Sequence, residues 1–365
     1  MEHGESMKEI ECIEKLRDIA TKVFGNTGVL EIKPIKVQFK ENLSYPSSNN
    51  LIPDFEIQVK MKDGKECTIF FEVKSIGQPR YVRMAINQLQ AILSQRKNVY
   101  GVVGAPYLTE ETMIICRENN MGCIDMAGNC FLKFDNVYIN IQGNPNLYST
   151  TRPLKSLFAQ KSTRALRVLL CNPKKEWSVI ELAEEASISL GQTSNLKRKL
   201  LDCEFIEECE NKKFRIRNPE VVLKKWAENY TYRRNKITNY YSSDDVETIE
   251  KRIADYGESK RIQYAFTLTS GVFLVTPSLR YKRAFVYIKN NVKDIAGSLG
   301  WKEVFSGPNI TVLEPYDEGI FYGLQNINGM KVVSDIQLYL DLQSYRERGE
   351  ESAQFLLENR LKKQW

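Results

Sequence analysis

Histidine is nearly missing from this chain: among 365 residues only His3 carries an imidazole. Catalysis by serine–histidine–aspartate or cysteine–histidine groups, and metal binding through imidazole, are excluded unless that side chain near the start folds back. Long apolar runs are missing too. No stretch approaches the roughly 18 consecutive apolar residues of a membrane-spanning helix, and the opening MEHGESMKEIECIEKL is too acidic for a signal or transit peptide. A soluble, cytoplasmic protein without membrane contact is expected. The eight cysteines (Cys12, Cys67, Cys116, Cys123, Cys130, Cys171, Cys203, Cys209) include no C-x-x-C pair, which fits reduced thiols and argues against structural zinc. With 12 Pro and 20 Gly, collagen-like and disordered classes are out.

What remains is ordinary globular material, 42% hydrophobic and 27% charged, long enough for two or three domains. Charge is unevenly spread. Residues 151–241 hold nineteen basic and eleven acidic side chains, a net +8, whereas residues 1–150 and 242–365 each sum to −1. A basic block between near-neutral ones suits a docking surface for a polyanion, although a solvated helical face has the same composition. The Gly-, Pro- and Asn-rich stretch 143–154 and the polar YYSSDD at 240–245 punctuate the chain. They divide it into expected domains at 1–145, 155–241 and 246–365.

In the first block an amphipathic helix is expected over Glu9 to Phe24, followed by a hairpin of 55–60 and 67–74 around Lys62-Asp-Gly-Lys65. A helix over 80–97, a buried strand at 99–103, a helix at 109–119 and three short strands to 141 complete an α/β block. Alternation places Glu72 and Lys74 on the face of Phe70, with Phe71 and Val73 pointing the other way. Asp54, at the start of the paired strand, is brought near Glu72. Two carboxylates side by side call for a cation. Mg²⁺, or Mn²⁺, answers with oxygen ligation and water, and Lys74 can then orient the attacking water. The plainer reading is a turn aspartate and a solvent-facing Glu/Lys pair.

Pro53-Asp54, seventeen residues, then Glu72-Val73-Lys74 resembles the PD-(D/E)xK restriction-endonuclease-like superfamily. That resemblance implies a restriction-endonuclease-like fold, metal binding by Asp54 and Glu72, and service of the nucleophilic water by Lys74. Gln88 matches the glutamine of resolvase-like members, and Glu11 or Glu14 is the acid that a first helix often adds. Arg80 and Arg83, just beyond the lysine, are expected phosphate contacts, with a plain surface loop as the alternative. Ile124-Asp-Met-Ala-Gly-Asn129 reads as an Asx-type turn between strands.

In the middle block, a helix at 163–171 precedes Ser178-Val-Ile-Glu181, a capping box that opens a second helix. A third helix, 189–201, is expected to turn Leu196, Leu200 and Leu201 inward and to leave Gln192, Thr193, Asn195, Lys197, Arg198 and Lys199 outside. A hairpin over 205–217 follows, with Lys212 and Lys213 near its tip and Arg215 on its return strand. The order resembles winged-helix DNA-binding domains, which implies base contacts from the polar half of the third helix and phosphate contacts from its basic half and the wing. Residues 219–241 are expected to lead onward as a helix.

Residues 246–365 are expected to alternate strands (263–268, 272–276, 284–289, 310–314, 319–322) with helices (292–299, 334–360). Val332-Val-Ser-Asp-Ile-Gln-Leu-Tyr-Leu-Asp341 and the following Arg348-Gly-Glu-Glu resemble the C-terminal domain of the AbiEi-type antitoxin and transcriptional-regulator family. Ile124–Asn129 and the winged-helix segment are similar to that family as well. The resemblance implies a nucleotidyltransferase-like α/β domain, regulation or phage-defence biology, and a cognate toxin as partner. Ser270-Gly271 has no metal-binding acid pair downstream, so nucleotide transfer is the least favoured activity. Two functions are carried forward: a Mg²⁺-dependent endonuclease targeted by its winged helix, and a DNA-binding repressor or antitoxin with a non-catalytic nuclease-like domain. Both require double-stranded DNA, and a homodimer fits a palindromic target.

Overall fold

The computed structural model describes residues 9–26, 30–32, 52–94, 96–147, 157–276, 281–345 and 349–365. His3 lies outside them. The chain divides into two compact units, residues 1–152 with 202–204, and the remainder. It is a mixed α/β protein whose described residues form two seven-stranded sheets and one small hairpin.

In the first unit the sheet runs in sequence order: β1 (Leu30–Ile32), β2 (Phe55–Met61), β3 (Glu66–Val73), β4 (Val99–Ala105), β5 (Gly122–Asp125), β6 (Cys130–Phe134) and β7 (Val137–Ile141). The β3–β4 and β4–β5 pairs are parallel and the others antiparallel. Two parallel steps each need a crossover, supplied by α2 (Pro79–Leu93) and α3 (Glu110–Glu118). Both sheet faces are covered. α1 (Glu9–Asn26) buries Cys12, Leu16 and Phe24 with Phe71 and Val73, while Val82, Ala85 and Leu89 of α2 pack with Phe70 and Val103 on the other side. That two-sided burial explains the nearly unbroken apolar character of β3 and β4.

The second unit opens with α4 (Gln160–Cys171), α5 (Val179–Glu185) and α6 (Leu190–Asp202), then β8 (Ile206–Glu208) paired with β9 (Phe214–Ile216). Trp177 adds a one-residue bridge to Phe214, closing the hairpin against the segment between α4 and α5. α7 (Pro219–Ala227) leads to β10 (Lys236–Tyr241), so the helix expected over 219–241 ends early. Asn218 caps its start and Glu228 its end, and the chain then enters the second sheet.

That sheet has the order β13 (Lys302–Glu303), β10, β14 (Ile310–Glu314), β12 (Ala284–Ile288), β11 (Tyr264–Phe266), β16 (Met330–Val332), β15 (Gln325–Ile327). α8 (Val246–Ser259) and α10 (Val292–Leu299) contribute Ile249, Ile253, Ile295 and Leu299 to its core. Two expected strands are not strands. Residues 272–276 fall in and just after α9 (Leu268–Val275), where Gly271 lets Leu338 approach: a Cβ there would stand 2.8 Å from Leu338 Cδ1. Residues 319–322 form a tight turn capped by Asp317. Short apolar runs have no period that separates helix from strand. The long final helix expected over 334–360 divides into α11 (Asp335–Gln343) and α12 (Gly349–Leu356).

α11 is buried along Asp335–Leu342 and carries polar groups into the interior. Arg167 of α4, fully buried, donates from Nε and Nη2 to Gln337 Oε1 at 3.1 and 2.6 Å and lies over the Trp226 ring. Gln337 Nε2 in turn donates to Asp341 Oδ1 at 2.9 Å. One amide thus stands between a buried cation and a buried anion. Asp341 also accepts from Tyr230, Tyr287 and Thr267. Arg164 Nε reaches both oxygens of Asp317, at 3.1 and 2.9 Å, from the same helix. Buried polar groups demand such partners.

Candidate functional site

The expected site residues form two groupings, one in each unit. In the first, β2 and β3 pair with Phe55 opposite Phe71, and Asp54 N donates to Phe71 O at 2.9 Å. That register carries Asp54 to the end of β3, where its Oδ2 accepts from Val73 N at 2.7 Å. Glu72 is fully buried and Asp54 is 3% exposed. Lys74 Nζ donates to Glu72 Oε1 at 2.9 Å and to Gln88 Oε1 of α2 at 2.7 Å. Glu72, Lys74 and Gln88 therefore touch, while Asp54 is tied to the backbone beside them.

Asp54 and Glu72 thus place two buried carboxyl groups beside one lysine, and Mg²⁺ usually takes one or two carboxylates from a protein. Among the described residues, no group of three or more His, Cys, Asp or Glu side chains is arranged to hold a metal ion. Glu11 and Glu14 are exposed on α1, whereas Cys12, Leu16 and Ala20 are buried. Arg80 and Arg83 are exposed on the first turns of α2. Between them and Lys74, Gly77 is fixed by the fold: a Cβ would stand 1.9 Å from Tyr107 O.

In the second unit, Ser178 accepts from Glu181 N and Glu181 Oε2 accepts from Ser178 N, a reciprocal box that starts α5. Those hydrogen bonds hold the Glu181 carboxyl below the usual range. α6 begins in the same manner: Gln192 N donates to Ser189 Oγ and Ser189 N to Gln192 Oε1, both at 3.3 Å. Gln192 is exposed but folded back on the helix start. Thr193 departs from expectation. It is buried, and its hydroxyl donates to Ser189 O at 3.1 Å, because it shares the inner side of the helix with Leu196 and Leu200. Asn195 and Arg198 are exposed, and Arg198 Nη2 donates to Asn195 Oδ1 at 2.9 Å.

Several expected cations are paired within the unit. Lys197 meets Glu208 at 3.0 Å, Lys213 meets Glu181 at 3.6 Å and Arg215 meets Glu207 at 2.7 Å. The first two tie the hairpin to α6 and α5, and the third spans its two strands. The Lys213 and Arg215 pairs are exposed, and such pairs contribute at most about 1 kcal/mol, so exchange of a carboxylate for a phosphate is energetically open to them, whereas the Lys197 side chain is only 15% exposed. Lys212 stands exposed at the hairpin tip beside Asn211, both with positive φ. Lys199 lines a groove of about 340 Å³ together with Lys161 and Asn195. Lys161 escaped the sequence reading because that reading started the helix at 163, whereas α4 starts at 160.

Among the described residues, no helix is long and apolar enough to cross a membrane. No curated protein and no solved structure matches the chain. Residues 215–362, from β9 to the last helical turn, match the family described as transcriptional regulator, AbiEi antitoxin, type IV TA system; the match includes neither the Asp54–Lys74 cluster nor α4–α6.

Proposed function

We propose that this chain is a DNA-binding transcriptional regulator of the AbiEi antitoxin type, which docks on duplex DNA through α6 and the β8–β9 hairpin. The family match over residues 215–362 carries this reading. It is supported by the helix–helix–helix–hairpin order of residues 160–216 and by their position in the net +8 segment. Winged-helix modules of this order present the third helix to the major groove and the hairpin to phosphate. A cognate toxin and a second copy of the chain are the protein partners that this reading brings.

The Glu72–Lys74–Gln88 contact beside Asp54 supports a second reading, metal-dependent phosphodiester cleavage. There Asp54 and Glu72 would hold Mg²⁺ or Mn²⁺, which supplies charge neutralisation at the phosphate, and Lys74 would orient the attacking water. Its weakness is that Glu72 already has Lys74 as counter-ion, so the cluster is coherent as a structural element.

One experiment separates the two. Duplex binding by the full chain, followed by anisotropy over a salt series, is run beside plasmid cleavage with Mg²⁺ or Mn²⁺. The regulator reading expects binding whose salt slope falls when Lys197, Lys212 and Lys213 are changed together to Ala, by about 0.9 for each phosphate no longer neutralised, with the plasmid intact. Affinity and slope unchanged in that variant would refute the docking surface. Metal-dependent cutting that disappears in both Asp54→Ala and Lys74→Ala would establish the nuclease.

A further inference from the structure

The DNA-binding reading leaves open which side chains read bases, and the outer face of α6 narrows the choice. At about 100° per residue, Thr193, Leu196 and Leu200 mark the buried side. The opposite arc carries Gly191, Ser194, Asn195 and Arg198, all exposed. Gln192, the residue that composition alone favours as a reader, is engaged in the reciprocal cap with Ser189.

Gly191 has no structural need of its own. Its backbone is not in the positive-φ region, and an added Cβ meets nothing within 4 Å. Glycine lowers helix stability relative to alanine, so the fold alone favours a side chain there. A bare backbone, with the small Ser194 one turn on, lets a partner surface come close. Flanking that bare patch is a fixed polar pair. Arg198 holds Asn195 Oδ1 through one N–H, which leaves the exposed amide a second lone pair on that oxygen and two Nδ2 hydrogens for a partner. An asparagine so presented matches the N6 donor and N7 acceptor of adenine, and the remaining guanidinium donors match guanine O6 and N7. The net +8 of the surrounding segment complements the phosphates on either side.

We infer that α6 enters the major groove with Gly191 and Ser194 at closest approach, and that it reads an adenine through Asn195 and a nearby guanine through Arg198. This rests on the DNA-binding reading above. The test enriches randomised duplexes on the full chain, then titrates the enriched duplex with single variants. Adenine and guanine at neighbouring positions are expected. Asn195→Ala should lose roughly ten-fold or more in discrimination at the adenine, and 7-deazaadenine at that position should weaken the native chain but not the variant. Arg198→Ala should lose discrimination at the guanine, and part of it at the adenine. Gly191→Leu should weaken binding about ten-fold or more while its thermal midpoint equals or exceeds that of the native chain. No duplex binding at low salt would overturn the DNA-binding reading and this inference together. Binding without base preference, a preference untouched by Asn195→Ala and Arg198→Ala, or one that is lost in Gln192→Ala instead, would overturn this inference alone.

Discussion

Asp341 shows how far one residue can be displaced from its ordinary chemistry. Burial pushes its carboxyl up to about 6 from 3.8, against hydrogen bonds from Thr267, Tyr230, Tyr287 and Gln337 that favour the anion. Between about pH 4 and 6 the folded chain therefore holds a proton that the unfolded chain has released, and stability falls as pH rises through that window. The loss is complete above the folded value and amounts to roughly 3 kcal/mol. Asp341→Asn should flatten this fall, as read by urea denaturation at about pH 4.5 and 7; identical pH slopes in the two proteins would refute the assignment. None of this was legible in the sequence, where Asp341 is one acid in an apolar string. The Glu72–Lys74 neighbourhood was legible from strand alternation, while Gln88 came only with the PD-(D/E)xK resemblance. Thr193 departs from expectation because it shares the i, i+3, i+7 stripe with Leu196 and Leu200, and Gln192 because capping competes for polar side chains at a helix start, where a linear string does not show which one folds back.

At the scale of elements, the reading of the first unit came close. The strands at 122–141 and the helices over 80–97 and 109–119 all have counterparts in β5–β7, α2 and α3. Their signals are local: period, cap and turn. The second unit was harder, since β10 at Lys236–Tyr241 has no alternation, with an exposed Ile237 and a buried Tyr240, and its place is set by antiparallel pairing to β14 more than seventy residues on. The Ser178–Glu181 box, by contrast, was visible in the string and stands in the structure. Ser178→Ala should lower stability by about 1 kcal/mol, measured by denaturant unfolding, and should loosen the Lys213–Glu181 tie to the hairpin. A change below about 0.3 kcal/mol would mean that tertiary packing alone holds α5 in place.

For the whole molecule, the second unit behaves as one body. Arg167 and Arg164 leave the helical head to meet Gln337 and Asp317, and Tyr230 meets Asp341. A chain of residues 246–365 alone would lose strand β10 from the second sheet together with Arg167, Arg164 and Tyr230, leaving Gln337 and Asp341 without those partners, a penalty of several kcal/mol. It should lack a cooperative thermal transition, whereas residues 153–365 should keep one, as followed by circular dichroism and limited proteolysis. A cooperative, protease-resistant 246–365 would show that the polar core is dispensable.

The family match begins at residue 215, inside β9, yet that strand is held by β8 and by the Trp177 bridge, and α4 behind them is locked to α11. Any exchange of the α4–α6 head for another therefore has to bring partners matched to Gln337 and Asp317 in the receiving body. If α6 reads DNA as proposed, drift in target preference has an easier course: point changes on the outer arc of that helix, which touch none of those locks.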